Sequence, residues 1–226
     1  MMHLNQSLLQ RSIAVLSIGA VALLTACSFS STPTYYTLAS TAKALPGSTI
    51  RSIEVLPIGL PDRLDRTQLI LQDDSGKSKI LDLQRWTSAL SSELRDGLSS
   101  NLQQRLGAVD RYHSGMVTTQ PTYRIAADFA HFDILGQRVV DGKSVSNSID
   151  VSVTWSIKKV EITDTHPDRQ IACRMDFNTP VDSSFGTGVN AIVIASRQSL
   201  DKVSAAVASS ILAFDHGTPS TDVVCS

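Results

Sequence analysis

Between Ser148 and Ile157 every second residue is apolar: Ile149, Val151, Val153, Trp155 and Ile157 alternate with Asp150, Ser152, Thr154 and Ser156. A period of two puts the apolar set on one face of an extended strand and the polar set on the other. The pattern recurs on either side. Tyr123, Ile125, Ala127 and Phe129 share a face within residues 123–134, with His131 falling in phase with Phe129, and Ile171, Cys173, Met175 and Phe177 share one within 170–181. Asp141-Gly142-Lys143 and Thr165-His166-Pro167-Asp168 supply the turns between them. Three consecutive one-sided strands joined by short links predict an antiparallel meander with one buried face.

That face needs a cover, and two stripes of helical period provide it. Trp86, Leu90, Leu94, Leu98, Leu102 and Leu106 recur every four residues and predict a helix over 85–106, stopped by Gly107. Val189, Ile192, Val193, Ser196, Leu200, Val203, Val207 and Ile211 predict a second helix over 188–213, entered through Gly186-Thr187-Gly188. Upstream, Tyr35-Tyr36-Thr37-Leu38 and residues 50–58 read as strands. Residues 68–72 and 79–83 read as a hairpin around Asp73-Asp74-Ser75-Gly76-Lys77. The expected fold class is α+β: a two-layer sandwich of a mainly antiparallel sheet covered on one face by two amphipathic helices.

The first residues follow another logic. Residues 13–24 (IAVLSIGAVALL) are a 12-residue apolar run, too short for a spanning helix, which needs about 20. No polar face interrupts the run, as a surface helix would require. It ends at Leu24-Thr25-Ala26-Cys27, the pattern of a bacterial lipoprotein signal. Cleavage between Ala26 and Cys27 is expected, with a diacylglyceryl group on the thiol and an acyl group on the amine of Cys27. That lipid is the one covalent addition expected, with no cofactor beyond it. The chain then divides into a signal peptide (1–26), a lipidated flexible tether (27–33) and a single domain (34–226). Ser28 stands where an Asp would retain the protein at the inner membrane, which favours the outer membrane, facing the periplasm.

Removing 26 of 226 residues leaves 200, and loses one base, Arg11, from 20 Lys and Arg against 21 Asp and Glu. The mature chain is slightly acidic and holds no basic run, which argues against nucleic acid as a partner. With Cys27 acylated, Cys173 and Cys225 remain. In an oxidising compartment two such cysteines invite a disulfide; the alternative is that Cys173 is a small buried apolar residue on its strand.

A search for chemistry finds no catalytic set. His3, His113, His131, His166 and His216 form no His-x-x-x-His pair, Cys-x-x-Cys is missing, and no Gly-x-Ser-x-Gly elbow occurs. No metal and no enzymatic activity are expected. Gly186-Thr187-Gly188 opens a helix and can offer free N–H groups to an anion, yet lacks the spacing of a nucleotide-binding loop. The mixed charges of Leu60-Pro61-Asp62-Arg63-Leu64-Asp65-Arg66 allow an acid/base pair. They suit better a solvated loop, or a partner-docking corner rimmed with salt bridges.

These residues together resemble a known family. The lipoprotein signal, Tyr35-Tyr36-Thr37-Leu38, residues 53–57, Leu60 to Arg66, and Arg85-Trp86 before a leucine-striped helix are similar to the PqiC (YmbA-like) family of ABC-type transport auxiliary lipoproteins. Arg63 and Thr67 depart from its pattern, which favours an aromatic and a proline there. The resemblance implies a non-enzymatic outer-membrane lipoprotein that docks a mammalian-cell-entry (MCE) domain tunnel protein and its inner-membrane permease. The implied system moves lipid between the two membranes and supports envelope integrity, with the lipoprotein as a homo-oligomer. The alternative is a periplasmic lipid-binding carrier, holding an acyl chain between sheet and helices along the stripe from Trp86 to Leu106.

Overall fold

The computed structural model of the chain describes residues 31–39, 42–73, 75–112, 114, 119–136, 138–140, 143–145, 147–161, 169–182, 184, 187–219 and 223–226. The signal segment, Ala26, Cys27, most of the tether, the turns expected at 141–142 and 165–168, His113 and Gly186 lie outside the described residues. In chain order the described elements are β1 (Thr34–Tyr36), β2 (Ser52–Val55), β3 (Gln68–Gln72), β4 (Ser78–Trp86), α1 (Leu90–Leu106), β5 (Val109–Asp110), β6 (Thr122–Leu135), β7 (Arg138–Val140), β8 (Lys143–Val145), β9 (Ser148–Val160), β10 (Arg169–Pro180), α2 (Val189–His216) and β11 (Val224–Cys225).

β6, β9 and β10 form the antiparallel meander that their alternation calls for, with Ile125 opposite Ile157 and Ile171 opposite Ile157 on its other side. Around this centre a mixed sheet of nine described strands runs β1-β4-β3-β6-β9-β10-β11, with β2 beside β6 and β5 beside β2. β3 and β4 form the expected antiparallel hairpin, whereas β1–β4, β2–β5, β2–β6 and β3–β6 pair in parallel. β7 and β8 make a separate two-stranded ribbon. With α1 and α2 packed over its apolar face, the fold is the expected α+β sandwich, and Thr34–Ser226 form one compact unit.

The leucine stripe is core: Leu94, Leu98 and Leu102 are fully buried, as are Val153, Ile157, Leu200, Val203 and Val207 from sheet and second helix. The residues from Trp86 to Leu106 that could have lined a carrier groove are thus spent on this packing. The two helices cross at Gly97, where a Cβ would stand 2.5 Å from Leu200 Cδ2. Ser196, Ser199, Ser204 and Ser210, all buried on α2, each donate to the carbonyl four residues earlier, and Asn101 Nδ2 donates to Ser204 Oγ across the helix pair. These four hydroxyls and the Asn101 amide are therefore buried with a hydrogen-bond partner each.

Three expectations need correction. Helix α1 begins at Leu90, not at 85, because the sheet claims the backbone first: Trp86 pairs with Tyr36, and Thr87 N–H donates to Tyr36 O at 2.9 Å. α2 runs on to His216, where Gly217 at φ +67° ends it, rather than stopping at 213. His131 is not in phase with Phe129. A bulge between Phe129 and His131 sets Phe132 opposite Val151 and Ile134 opposite Ile149. The bulge restores the apolar face through Phe132 and Ile134 and turns His131 and Asp133 to the side away from the helices. The short strands β5 and β11 and the ribbon at 138–145 had no readable alternation.

Candidate docking loop

The charged loop Leu60 to Arg66 links β2 to β3, two strands that both lie parallel to β6 at different heights. It therefore runs along the middle of β6. Gly59 N–H donates to Ala127 O at 3.0 Å and Phe129 N–H donates to Gly59 O at 2.9 Å. A side chain at Gly59 would meet the Asp128 carboxylate, since its Cβ would stand 2.1 Å from Oδ2. Leu64 plugs the loop into the core at 5% exposure.

The loop's charges work in opposite directions. Arg63 reaches over the bulge and donates to both oxygens of Asp133, Nη1 to Oδ1 at 2.5 Å and Nη2 to Oδ2 at 3.0 Å. Gln72 Nε2 donates to the same carboxylate at 2.7 Å, and His131 Nδ1 lies 2.8 Å from it. Asp133 is 3% exposed. Burial alone would raise its pKa, but the hydrogen bonds from Arg63 and His131 outweigh burial and hold the carboxyl below the usual range. Asp65 accepts from Ser91 N–H at 3.0 Å. It thereby satisfies a free donor in the first turn of α1, whose own N-cap residue, Ala89, offers no side-chain acceptor. Asp62 is exposed, and the buried Nε of Arg66 has no hydrogen-bond partner.

A second buried carboxylate braces the start of α1, the helix whose Ser91 N–H Asp65 holds. Glu93 on α1 accepts from Leu38 N–H at 2.9 Å and Thr37 Oγ1 at 3.0 Å with one oxygen, and from Thr87 and Ser88 hydroxyls with the other. Burial pushes its pKa up, and these four donors bring it below the ordinary value. Glu93 thus ties the end of β1 to the turn that launches α1. Neither Asp133 nor Glu93 stands out in the sequence. For Asp133 the readable signal is the spacing of three between Phe129 and Phe132 inside an alternating run, which marks a bulge.

The structure does not bring the other candidates to this corner. Cys173 and Cys225 face each other across β10 and β11 and are joined by a disulfide. Beside it, a cleft of about 740 Å³ opens at the C-terminal end of α2, lined among others by Arg169, Phe214 and Cys225. Gly188 precedes α2 at φ +61° without a side-chain cap. Among the described residues no group of three or more His, Cys, Asp or Glu side chains could hold a metal ion. Among them, too, no helix is long and apolar enough to cross a membrane. Chemically the loop is a fixed charged corner: its anchors point inward, and Asp62 and the outer edge of Arg63 remain on the surface.

A model of the family described as ABC-type transport auxiliary lipoprotein component matches residues 36–208, and the chain belongs to that family. It is a family of transport accessory lipoproteins and not a class of enzymes. A crystal structure of an uncharacterized protein is similar over 80% of this chain and 99% of its own, at 20% identity and a TM-score of 0.56. The crystal structure of a Xanthomonas campestris protein of the DUF330 family is similar over 81% and 98%, at 15% identity and a TM-score of 0.54. At these identities the likeness establishes the fold. A search of the curated proteins finds no match.

Proposed function

We propose that this chain is held at the outer membrane by acyl chains on Cys27 and serves there as a non-enzymatic docking subunit. Its transporter is an ABC-associated, MCE-type system that moves lipid between membranes and supports envelope integrity. The observation that carries this reading is the family match over 36–208. The partners are an MCE-domain tunnel protein and, through it, the inner-membrane permease, and the lipoprotein works as a homo-oligomer. The corner from Leu60 to Arg66 is the proposed contact. Arg63 on Asp133 and Asp65 on the first turn of α1 fix its backbone in advance, so binding there loses little conformational freedom. The core position of Leu94, Leu98 and Leu102 favours an adaptor over an acyl-chain carrier. Affinity isolation of the acylated protein from envelope membranes in mild detergent tests this. Recovery of an MCE-domain protein is expected, and its repeated absence from an otherwise intact preparation would refute the reading.

A further inference from the structure

The edge of the sheet nearest the tether is more apolar than an edge in water should be. β4 is covered on its outer side by β1 only at Gln84–Trp86, so Ser78 to Leu83 have no strand beyond them among the described residues. Along this corner Tyr35 is 56% exposed, Ile80 43% and Leu83 40%. They are three of six large apolar side chains so exposed among the described residues, and they gather on two adjacent strands. Leu81 lies opposite fully buried Leu69, and buried Trp86 lies opposite Tyr36. Ile80 and Tyr35, each one residue off those core positions, therefore face away from the helices. The turn before β4 adds Lys77, and β4 itself adds Lys79.

What lies next to this corner follows from chain length. Tyr35 is eight residues after Cys27, and eight residues span at most about 29 Å fully extended and about 16 Å as a flexible chain. If Cys27 carries the lipid, as the proposed function holds, the β1–β4 corner cannot leave the neighbourhood of the bilayer. We propose that the β1–β4 edge, which carries Tyr35, Ile80 and Leu83 exposed, contacts the membrane edge-on and seats the body against the lipid surface in one orientation. The contact is interfacial. An unpaired strand edge carries N–H and C=O groups that hydrocarbon cannot satisfy, whereas headgroups and their water can, and a tyrosine with its ring on lipid and its hydroxyl in water belongs at that depth. The arrangement leaves the charged loop on a body of set orientation, as a docking piece requires.

The test uses the mature chain, residues 27–226, coupled through Cys27 to maleimide lipid in phosphatidylethanolamine and phosphatidylglycerol vesicles. The outcome then does not depend on acylation in the cell. Leu83→Trp and, separately, Ile80→Trp report depth; Trp86 and Trp155, both 2% exposed, give a constant background. Val224→Trp, at a position 81% exposed on β11, is the control. Phospholipids brominated near the headgroup should quench the new tryptophan at 83 and at 80 about twofold, and those brominated near the chain ends less, as interfacial depth requires. The control should be unaffected. Unquenched tryptophans at both positions, or equal quenching at 224, would overturn the proposal. So would a photoreactive label at Leu83 that captures protein instead of lipid in native envelopes. A Cys27 found unacylated in the cell would instead refute the anchoring, a separate result.

Discussion

Asp133 gives the strongest test of how the charged corner is built. It accepts four hydrogen bonds on two oxygens at 2.5, 3.0, 2.7 and 2.8 Å, from Arg63 twice, Gln72 and His131. Asp133→Asn keeps the shape but removes the charge and turns an NH2 toward donors. Breaking a fully buried pair is worth about 3–5 kcal/mol and an exposed one about 0–1. Asp133 is 3% exposed and Arg63 45%, so a loss of about 2–3 kcal/mol is expected, between those limits. For a domain of this size that lowers the melting temperature by about 5–10 °C. The sign with pH is set by the depressed carboxyl. Its contribution is complete above the unfolded-chain value near about 4 and is lost as pH falls through the lower native value. Wild type and variant should therefore differ fully at neutral pH and converge in acid. Arg63→Ala alone should lose about 1–2 kcal/mol, and the double variant less than the sum, because the two share one interaction. Urea and thermal unfolding followed by circular dichroism give all of these values. An Asp133→Asn variant within about 0.5 kcal/mol of wild type, or strict additivity with Arg63→Ala, would refute the idea that this carboxylate pins the loop.

Three further outcomes follow from packing and covalent structure. Breaking Cys173–Cys225, 52 residues apart, should lower stability by about 4 kcal/mol in the chain-entropy treatment, and a thiol assay on unfolded, unreduced protein should find neither sulfur reactive; two reactive thiols contradict the bridge. Gly97→Ala should destabilise by about 1–2 kcal/mol, although alanine is the better helix former by about 1, because Leu200 is fully buried and cannot step aside freely; an increase in melting temperature would show a looser helix crossing. Glu93→Gln should cost about 1–3 kcal/mol, with the difference fading in acid as for Asp133, since its carboxyl too is held below the ordinary range; a pH-independent difference would count against the carboxylate as the cause.

Most of the architecture was legible because its main elements carry strong periods. β9 and β10 alternate almost without a break, and the leucines of α1 recur by four, so burial decides both elements. The misreadings arose where a second element competes for the same residues. Trp86 fits the helical stripe, yet the ladder with Tyr36 takes it into β4. His131 fits the alternation of β6, yet the bulge moves it to the other face. Two-residue strands such as β5 and β11 hold too few side chains for any pattern. At the candidate site the loop itself was visible as a proline followed by alternating acids and bases. Its support Asp133, and the brace Glu93 at the start of α1, were not, because the partners they bring in from other elements, Arg63 and the Leu38 N–H, lie 70 and 55 residues away in the chain, and no local spacing records such a contact.

The central claim, that this chain docks a transporter through its charged corner, is tested most directly in living cells. A photoreactive amino acid at Asp62, exposed on the loop, should give a covalent adduct with an MCE-domain protein, and the same label at Val224 should not. Adducts at Asp62 that contain no MCE-domain protein, or an identical pattern from both positions, would contradict the account.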